Sequence, residues 1–327
     1  MKRNQHAGQL VSDGVGMSAL SAADLDAIHH ASLEVLERAG VYVEDDQALA
    51  LFADAGCRID KERNVAKIPP HVVMDALAAC PPTYSFCGRD PRHDFMMGSN
   101  RVGFVTFCEG ILMNDIETGE NRPSNKQDVA DITRLVDALG DIDAVASPVG
   151  ARDAGEAAPS VHGLEAMFNN TTKHVHLPLM SKHEAEAAVE MARVVAGGDD
   201  ALRDRPIVSG GCAIVSPLRL TKQFSDVSTV WARAGLPTII MSGVIAGATS
   251  PVTLAGSLVQ HNAEMLAAIS WIQLAERGTK VFYSSFSAAM DMRFGQDCVG
   301  TPEMSLMSAC LPLLAHRYDL PCWMAGL

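Results

Sequence analysis

The chain has 327 residues, of which 48% are hydrophobic and 20% charged, so it has enough apolar material for one large domain or two ordinary ones and is not a disordered chain. Its formal net charge of −13 argues against nucleic acid or an anionic membrane as the main partner. That charge is compatible with a cationic substrate, although a soluble acidic surface is the commoner meaning. The eight cysteines include no C-x-x-C pair, and most sit in apolar runs such as Ala79-Cys80 and Ala309-Cys310-Leu311. They read as reduced thiols of a cytoplasmic protein. No apolar stretch backs the Met1-Lys2-Arg3 start, so no signal peptide is expected, and no uninterrupted run approaches membrane-spanning length.

In chain order, residues 1–20 read as a flexible lead containing Gly8, Gly14 and Gly16 without periodicity. Ser21, with Asp24 three residues on, predicts a helix start, and Leu25, Ile28, Val35 and Leu36 recur at helical spacing up to Gly40. A second helix is expected over 46–55. Pro69-Pro70 opens a third, which Pro81-Pro82 closes. Extended pieces over 83–87 and 102–108 follow, then a hairpin from Ile111–Asp115 through the turn Glu117-Thr118-Gly119-Glu120. Residues 21–123 thus read as an N-terminal α+β extension.

From residue 124 the pattern changes. Ser124 is the expected cap of a helix carrying Val129, Ile132, Leu135, Val136 and Leu139 on one face. Apolar strands are then expected over 144–149, 174–179, 207–215, 238–244, 281–286 and 322–325. Their starts lie 30 to 43 residues apart, a spacing that leaves room for a helix in each crossover. No G-x-G-x-x-G or P-loop motif stands at a strand–helix turn, so a nucleotide-binding sheet is disfavoured. The expectation for 124–327 is an α/β fold, an incomplete (β/α)8 TIM barrel with about six of its eight strands. The last residues, Leu320 to Leu327, read as a barrel strand with nothing after it to cover it, as though the reading frame were cut short.

Chemistry in such a barrel belongs at the C-terminal strand ends. His174 and His176 fall on one face of a strand and could hold zinc with a carboxylate, but without H-E-x-x-H or a cysteine cluster, hydrogen-bonded site or core histidines are favoured and no metal is expected. Ser209-Gly210-Gly211 and Ser216 mark small residues where a ligand could approach, and no G-x-S-x-G supports a serine hydrolase. Gln260 and Glu264 share a helix face and read more readily as scaffold than as pocket. Asp291 and Glu303 are the acid or cation-binding candidates, Glu303 at a helix start where a carboxylate is favoured in any case. Tyr283, Phe286 and Trp323 could contribute to an aromatic cage for an alkylammonium, with core packing as the ordinary alternative for each.

Longer segments carry a family likeness. Ser32-Leu33-Glu34-Val35-Leu36-Glu37-Arg38-Ala39-Gly40, Ile116-Glu117-Thr118-Gly119-Glu120, Arg134 to Leu139, Asn170-Thr171-Thr172-Lys173-His174, Ser216 to Leu220 and Ala246 to Gly256 resemble the trimethylamine methyltransferase family of corrinoid-dependent enzymes almost end to end. The resemblance implies a TIM barrel with an N-terminal extension, in proteins considerably longer than this chain. It implies methyl transfer from trimethylamine to the Co(I) centre of a corrinoid (cobalamin) carried by a partner protein. It further places pyrrolysine, encoded by an amber codon, just after a segment that looks like Leu320-Pro321-Cys322-Trp323-Met324-Ala325-Gly326, so that Leu327 would precede it. The expected substrate-side roles fall to Glu303 and Asp291 as catalytic carboxylates, with His174, His176, Ser216, Tyr283 and Phe286 as substrate-binding residues.

The expected partners are the corrinoid protein and a small methylated amine, with no nucleic acid and no membrane, and the expected assembly is a homo-oligomer. As it ends at Leu327, the chain is expected to be inactive, the activity belonging to the read-through product. Three other readings stay open: a relative without pyrrolysine that demethylates a quaternary amine such as glycine betaine, a zinc-assisted methyltransferase using His174 and His176, and a short non-catalytic partner-binding protein.

Overall fold

The computed structural model describes residues 18–98, 102–155 and 158–325. Most of the lead expected over 1–20 and the Gly326-Leu327 end lie outside the described residues. The chain divides into a first unit built mainly from residues 83–211 and a second built from the preceding residues to 82 with 212–232 and 238 onward.

The second unit begins with α1 (Ala22–Arg38). Its start is a reciprocal capping box: the Ser21 N–H donates to the Asp24 carboxylate at 2.8 Å, and the Asp24 N–H donates to the Ser21 hydroxyl at 3.2 Å. Gly40 turns the chain out of α1 with φ +83°, and a Cβ there would stand 2.5 Å from the Ala66 carbonyl oxygen, so only glycine fits. Then come β1 (Val41–Val43), α2 (Asp46–Asp54), β2 (Arg58–Asp60) and β3 (Val65–Lys67), with β3 antiparallel to both β1 and β2. Pro69-Pro70 opens α3 (Pro70–Ala79), as the proline at the first helical position predicts.

The first unit opens with β4 (Tyr84–Phe86) paired antiparallel to β5 (Phe95–Met97). The expected hairpin follows as β6 (Leu112–Asn114) and β7 (Asn121–Pro123). The stretch expected as extended over 102–108 forms only a parallel bridge, Val105 to Ala144. Helix α4 (Lys126–Ala138) is capped one residue later than expected. Asn125 accepts from the Asp128 N–H at 2.9 Å and the Asp128 carboxylate accepts from the Asn125 N–H at 2.8 Å, while the Ser124 hydroxyl donates to the Gly150 carbonyl at 2.8 Å. Next are β8 (Ala144–Ala146), α5 (Pro159–Asn170), β9 (His174–Pro178), α6 (Lys182–Ala196), α7 (Asp199–Asp204) and β10 (Val208–Ala213). Strands β8, β9 and β10 pair in parallel. The turn into β9 is locked by Lys173, whose ammonium donates to the Val136 and Leu139 carbonyls, each at 2.6 Å, and so closes the C-terminus of α4.

The second unit resumes with β11 (Arg219–Leu220) alongside β1, α8 (Lys222–Ala234), β12 (Thr238–Ser242) and β13 (Ile245–Ala246). Helix α9 (Leu254–Ala275) is buried over most of its length, including His261, Asn262 and Glu264, and packs against α1, α2, α3 and β12. It is followed by β14 (Val281–Ser285), β15 (Ala288–Asp291), β16 (Gln296–Cys298), α10 (Pro302–Arg317) and β17 (Cys322–Met324). Strands β12, β14 and β17 pair in parallel, and β15 pairs antiparallel with β16. The six parallel strands keep chain order in their sheet, β8-β9-β10-β12-β14-β17. This is the α/β arrangement and the strand count expected of an incomplete (β/α)8 sheet.

Candidate active site

Strand β9 presents His174 and His176 on one face and the fully buried Val175 and Leu177 on the other. Ser209 of β10 stands in register with His176. The His174 Nδ1 faces the Cys87 carbonyl at 3.2 Å and the Pro206 carbonyl at 3.1 Å, and its Nε2 meets the Ser209 hydroxyl at 2.9 Å. The same hydroxyl meets His176 Nδ1 at 3.0 Å. Phe86 of β4 stacks on the His174 ring with 4.0 Å between centroids and 7° between planes. Burial pushes both imidazoles down to about 3, so both are neutral at ordinary pH. Of this pair, expected as substrate-binding residues, His174 is wholly enclosed and His176 is 3% exposed.

Ser216 reaches α9. Its hydroxyl donates to Glu264 of α9 at 2.7 Å, and that carboxylate also accepts from the Ser242 hydroxyl at 2.6 Å, the Leu218 N–H at 3.0 Å and the Gln260 side-chain amide at 2.9 Å. Glu264 is fully buried, and all four of these donors are neutral. Its bond to the Leu218 N–H holds a non-glycine residue at φ +51°, directly before β11. The shared face of Gln260 and Glu264 was legible in the sequence, and the two side chains meet there at 2.9 Å.

Tyr283 turns toward the helices. Its hydroxyl donates to Asn262 Oδ1 at 3.1 Å and lies 3.1 Å from His261 Nδ1, and Asn262 in turn donates to Ser32 at 3.0 Å and Tyr318 at 2.9 Å. Tyr318 continues the network to His29 Nδ1 at 2.9 Å. Strand alternation puts Phe282 on the opposite face of β14, where it stacks on Trp323 of β17 with 5.8 Å between centroids. Tyr283 therefore does not join Trp323 in one aromatic cage. The face of Phe282 and Trp323 is also the face of Ser284 and Phe286, and Phe286 is half-buried just past β14.

Asp291 ends β15 and accepts the Arg293 N–H at 2.8 Å, which shapes the turn into β16. Glu303 lies in the first turn of α10, behind the Thr301 cap, and is exposed. Two carboxylates were missed. Glu109 accepts from the Ser147 hydroxyl at 3.3 Å just past β8. Burial pushes the Glu109 carboxyl up, opposed by the Ser147 hydrogen bond and the Arg152 charge, and nearby Glu184 adds to the rise. Glu184 accepts from the Met180 N–H at 3.0 Å and the Ser160 N–H at 3.3 Å. The motif Ser181-Lys182-His183-Glu184 could have flagged Glu184, because S-x-x-E marks a helix start.

All eight cysteines are free thiols, and burial pushes Cys80, Cys108 and Cys212 up to about 12, far from thiolate reactivity. Among the described residues no three His, Cys, Asp or Glu are grouped to hold a metal ion, and no helix is long and apolar enough to cross a membrane.

Comparison with known proteins gives a consistent picture. The family model for trimethylamine methyltransferase (MTTB) matches residues 2–327. The chain is 41% identical over 320 residues to trimethylamine methyltransferase MttB of Desulfitobacterium hafniense, covering 98% of this chain and 64% of that protein. It is 37% identical to MttB of Methanosarcina thermophila, covering 99% of this chain and 68% of that protein. Glycine betaine methyltransferase of Desulfitobacterium hafniense is 28% identical over 94% of this chain and 64% of its own length. The chain thus spans about two thirds of the length of these relatives. In fold it is similar to the Methanosarcina barkeri monomethylamine methyltransferase, with a TM-score of 0.56 at 11% identity, covering 92% of this chain and 67% of that structure.

Proposed function

The chain belongs to the trimethylamine methyltransferase family, and from that premise we propose that it serves methyl transfer from trimethylamine to a corrinoid protein. The observation that carries this reading is the gap in identity, 41% to a trimethylamine methyltransferase against 28% to a glycine betaine methyltransferase, at similar coverage. The corrinoid, held by the partner, would supply the Co(I) nucleophile.

The chain's own residues would bind and orient the amine. Trimethylamine is protonated at neutral pH, so its site needs negative charge and apolar walls for three methyl groups. Glu303 and Asp291 offer the charge on the segments that follow β14, and Phe286 and Trp323 offer aromatic surface on one face of β14 and β17. Met292 and Phe294, each 74% exposed beside Asp291, are apolar surface of the kind a docking protein covers. The free thiols would stay reduced in the cytoplasm, where we place the protein.

The test is a methyl-transfer assay of the full-length protein with the reduced corrinoid protein, following loss of the Co(I) absorption with trimethylamine or glycine betaine as donor. Transfer from trimethylamine alone is expected. Transfer from glycine betaine alone would overturn the substrate assignment. Stable binding of the corrinoid protein without transfer from either donor would favour the non-catalytic, partner-binding reading.

A further inference from the structure

The hydrogen bonds around β9 have a direction. The His174 Nδ1 faces two carbonyl oxygens, which only accept, so Nδ1 carries the proton. The ring is neutral, so its Nε2 is a bare acceptor, and the partner at 2.9 Å must donate. That partner is the Ser209 hydroxyl, which has one hydrogen. Having given it to His174, Ser209 can only accept from His176 Nδ1 at 3.0 Å. His176 must then carry its proton on Nδ1.

We infer that Ser209 is a positioning residue that fixes His176 as the Nδ1–H tautomer and presents its Nε2 as an acceptor. The chain of constraint starts at the Cys87 and Pro206 carbonyls and passes through two side chains before it reaches His176. The stack of Phe86 on His174 holds the first ring in the plane the relay needs. Ser209 and His174 are fully buried, so water does not compete for these bonds. It follows that whatever meets His176 Nε2 is a donor or an electrophile, such as an ammonium N–H, a hydroxyl or a metal cation, and is not a carbonyl or a carboxylate. This inference stands on geometry within one unit and is independent of the proposed activity.

The experiment is two-bond proton–nitrogen NMR on the full chain with nitrogen-15 histidine, with the His176 signals identified by their loss in His176→Gln. In the wild type, His176 is expected to show a protonated Nδ1 and a pyridine-like Nε2, and His174 the same pattern. In Ser209→Ala, His176 is expected to become a mixture of tautomers or to switch to Nε2–H. A wild-type His176 with Nε2–H would overturn the inference, as would a folded Ser209→Ala protein in which the tautomer is unchanged. If Ser209→Ala does not fold, the wild-type spectrum decides alone.

Discussion

Two buried polar clusters of this chain look alike in burial and differ in the direction of their hydrogen bonds. Around β9, His174 and His176 are enclosed and neutral, linked by one serine. On α9, Glu264 is enclosed too, yet it is surrounded by two hydroxyls, a backbone N–H and an amide, all donating. An imidazole can meet burial by giving up its proton and then serving as donor and acceptor at once. A carboxylate with donors on several sides keeps its acceptor capacity fully used without a cation. The lesson is that enclosure alone does not separate site from scaffold; the direction of the hydrogen bonds does. Glu264 is met by four donors, whereas the relay through Ser209 gives His176 Nε2 an acceptor role.

The sharpest way to break the comparison is to remove the carboxylate. Glu264→Ala would leave the Ser216 and Ser242 hydroxyls and the Leu218 N–H without their acceptor. A loss on the order of 3–5 kcal/mol is expected from stranding several buried donors. Glu264→Gln should be milder, because one side-chain oxygen remains. Urea unfolding of both variants checks this, and equal small losses would demote Glu264 to a minor tether.

The neutral imidazoles predict a pH dependence of a particular sign. Burial takes His174, His176 and His261 from 6.5 to about 3, so the native state binds fewer protons than the unfolded chain between those values. Their contribution to stability is complete above pH 6.5 and declines as pH falls toward 3. Each imidazole contributes a slope of up to ~1.4 kcal/mol per pH unit in that window, or about 2 kcal/mol by pH 5. In His261→Gln the fall in unfolding midpoint between pH 7 and pH 5 should be shallower than in the wild type. A parallel fall would mean that His261 is not held neutral.

Much of this was legible before any coordinates. Ser21 and Asp24 announced α1, Pro69-Pro70 announced α3, and apolar runs at βα spacing placed all six parallel strands. Those signals are local and involve residues only a few positions apart. The cap of α4 was read one residue early because Ser124 and Asn125 are both good caps, and only the reach of Ser124 to the distant Gly150 carbonyl separates them. Site residues were harder for the same reason. Ser216 and Glu264 are 48 positions apart, and Tyr283 meets residues from α1, α9 and α10 through its network. A serine spent on a distant carboxylate looks, in sequence, like a serine free to bind a ligand. Glu109 was missed because the extended piece before it, 102–108, was assigned to the N-terminal extension rather than to the barrel, and Glu184 because it stands at a helix start rather than at a strand end.

Tyr283 sharpens the comparison from the other side. If its hydroxyl only ties β14 to Asn262 and His261, Tyr283→Phe should cost about 1–2 kcal/mol of stability. Methyl-transfer KM for the amine should stay unchanged. A raised KM with unchanged unfolding would return Tyr283 to the substrate side.

The smallest expected effect on stability, and the most informative on chemistry, belongs to Glu303. It is exposed in the first turn of α10, where a carboxylate favours the helix dipole by roughly 0.3–1 kcal/mol. Gln keeps the shape and removes the charge, so the unfolding midpoint of Glu303→Gln should move little. If Glu303 also faces the cationic amine, the same change removes a charge-assisted contact worth roughly 1.5–3 kcal/mol, which slows transfer by about tenfold to a hundredfold. Glu264 answers the opposite way: its loss should lower stability first and transfer only through unfolding. Measuring transfer rate and unfolding midpoint on both variants places each carboxylate on one side of that divide. A Glu303→Gln protein with normal transfer and a slightly lowered midpoint would make Glu303 a helix-start residue and leave Asp291 as the carboxylate to test next.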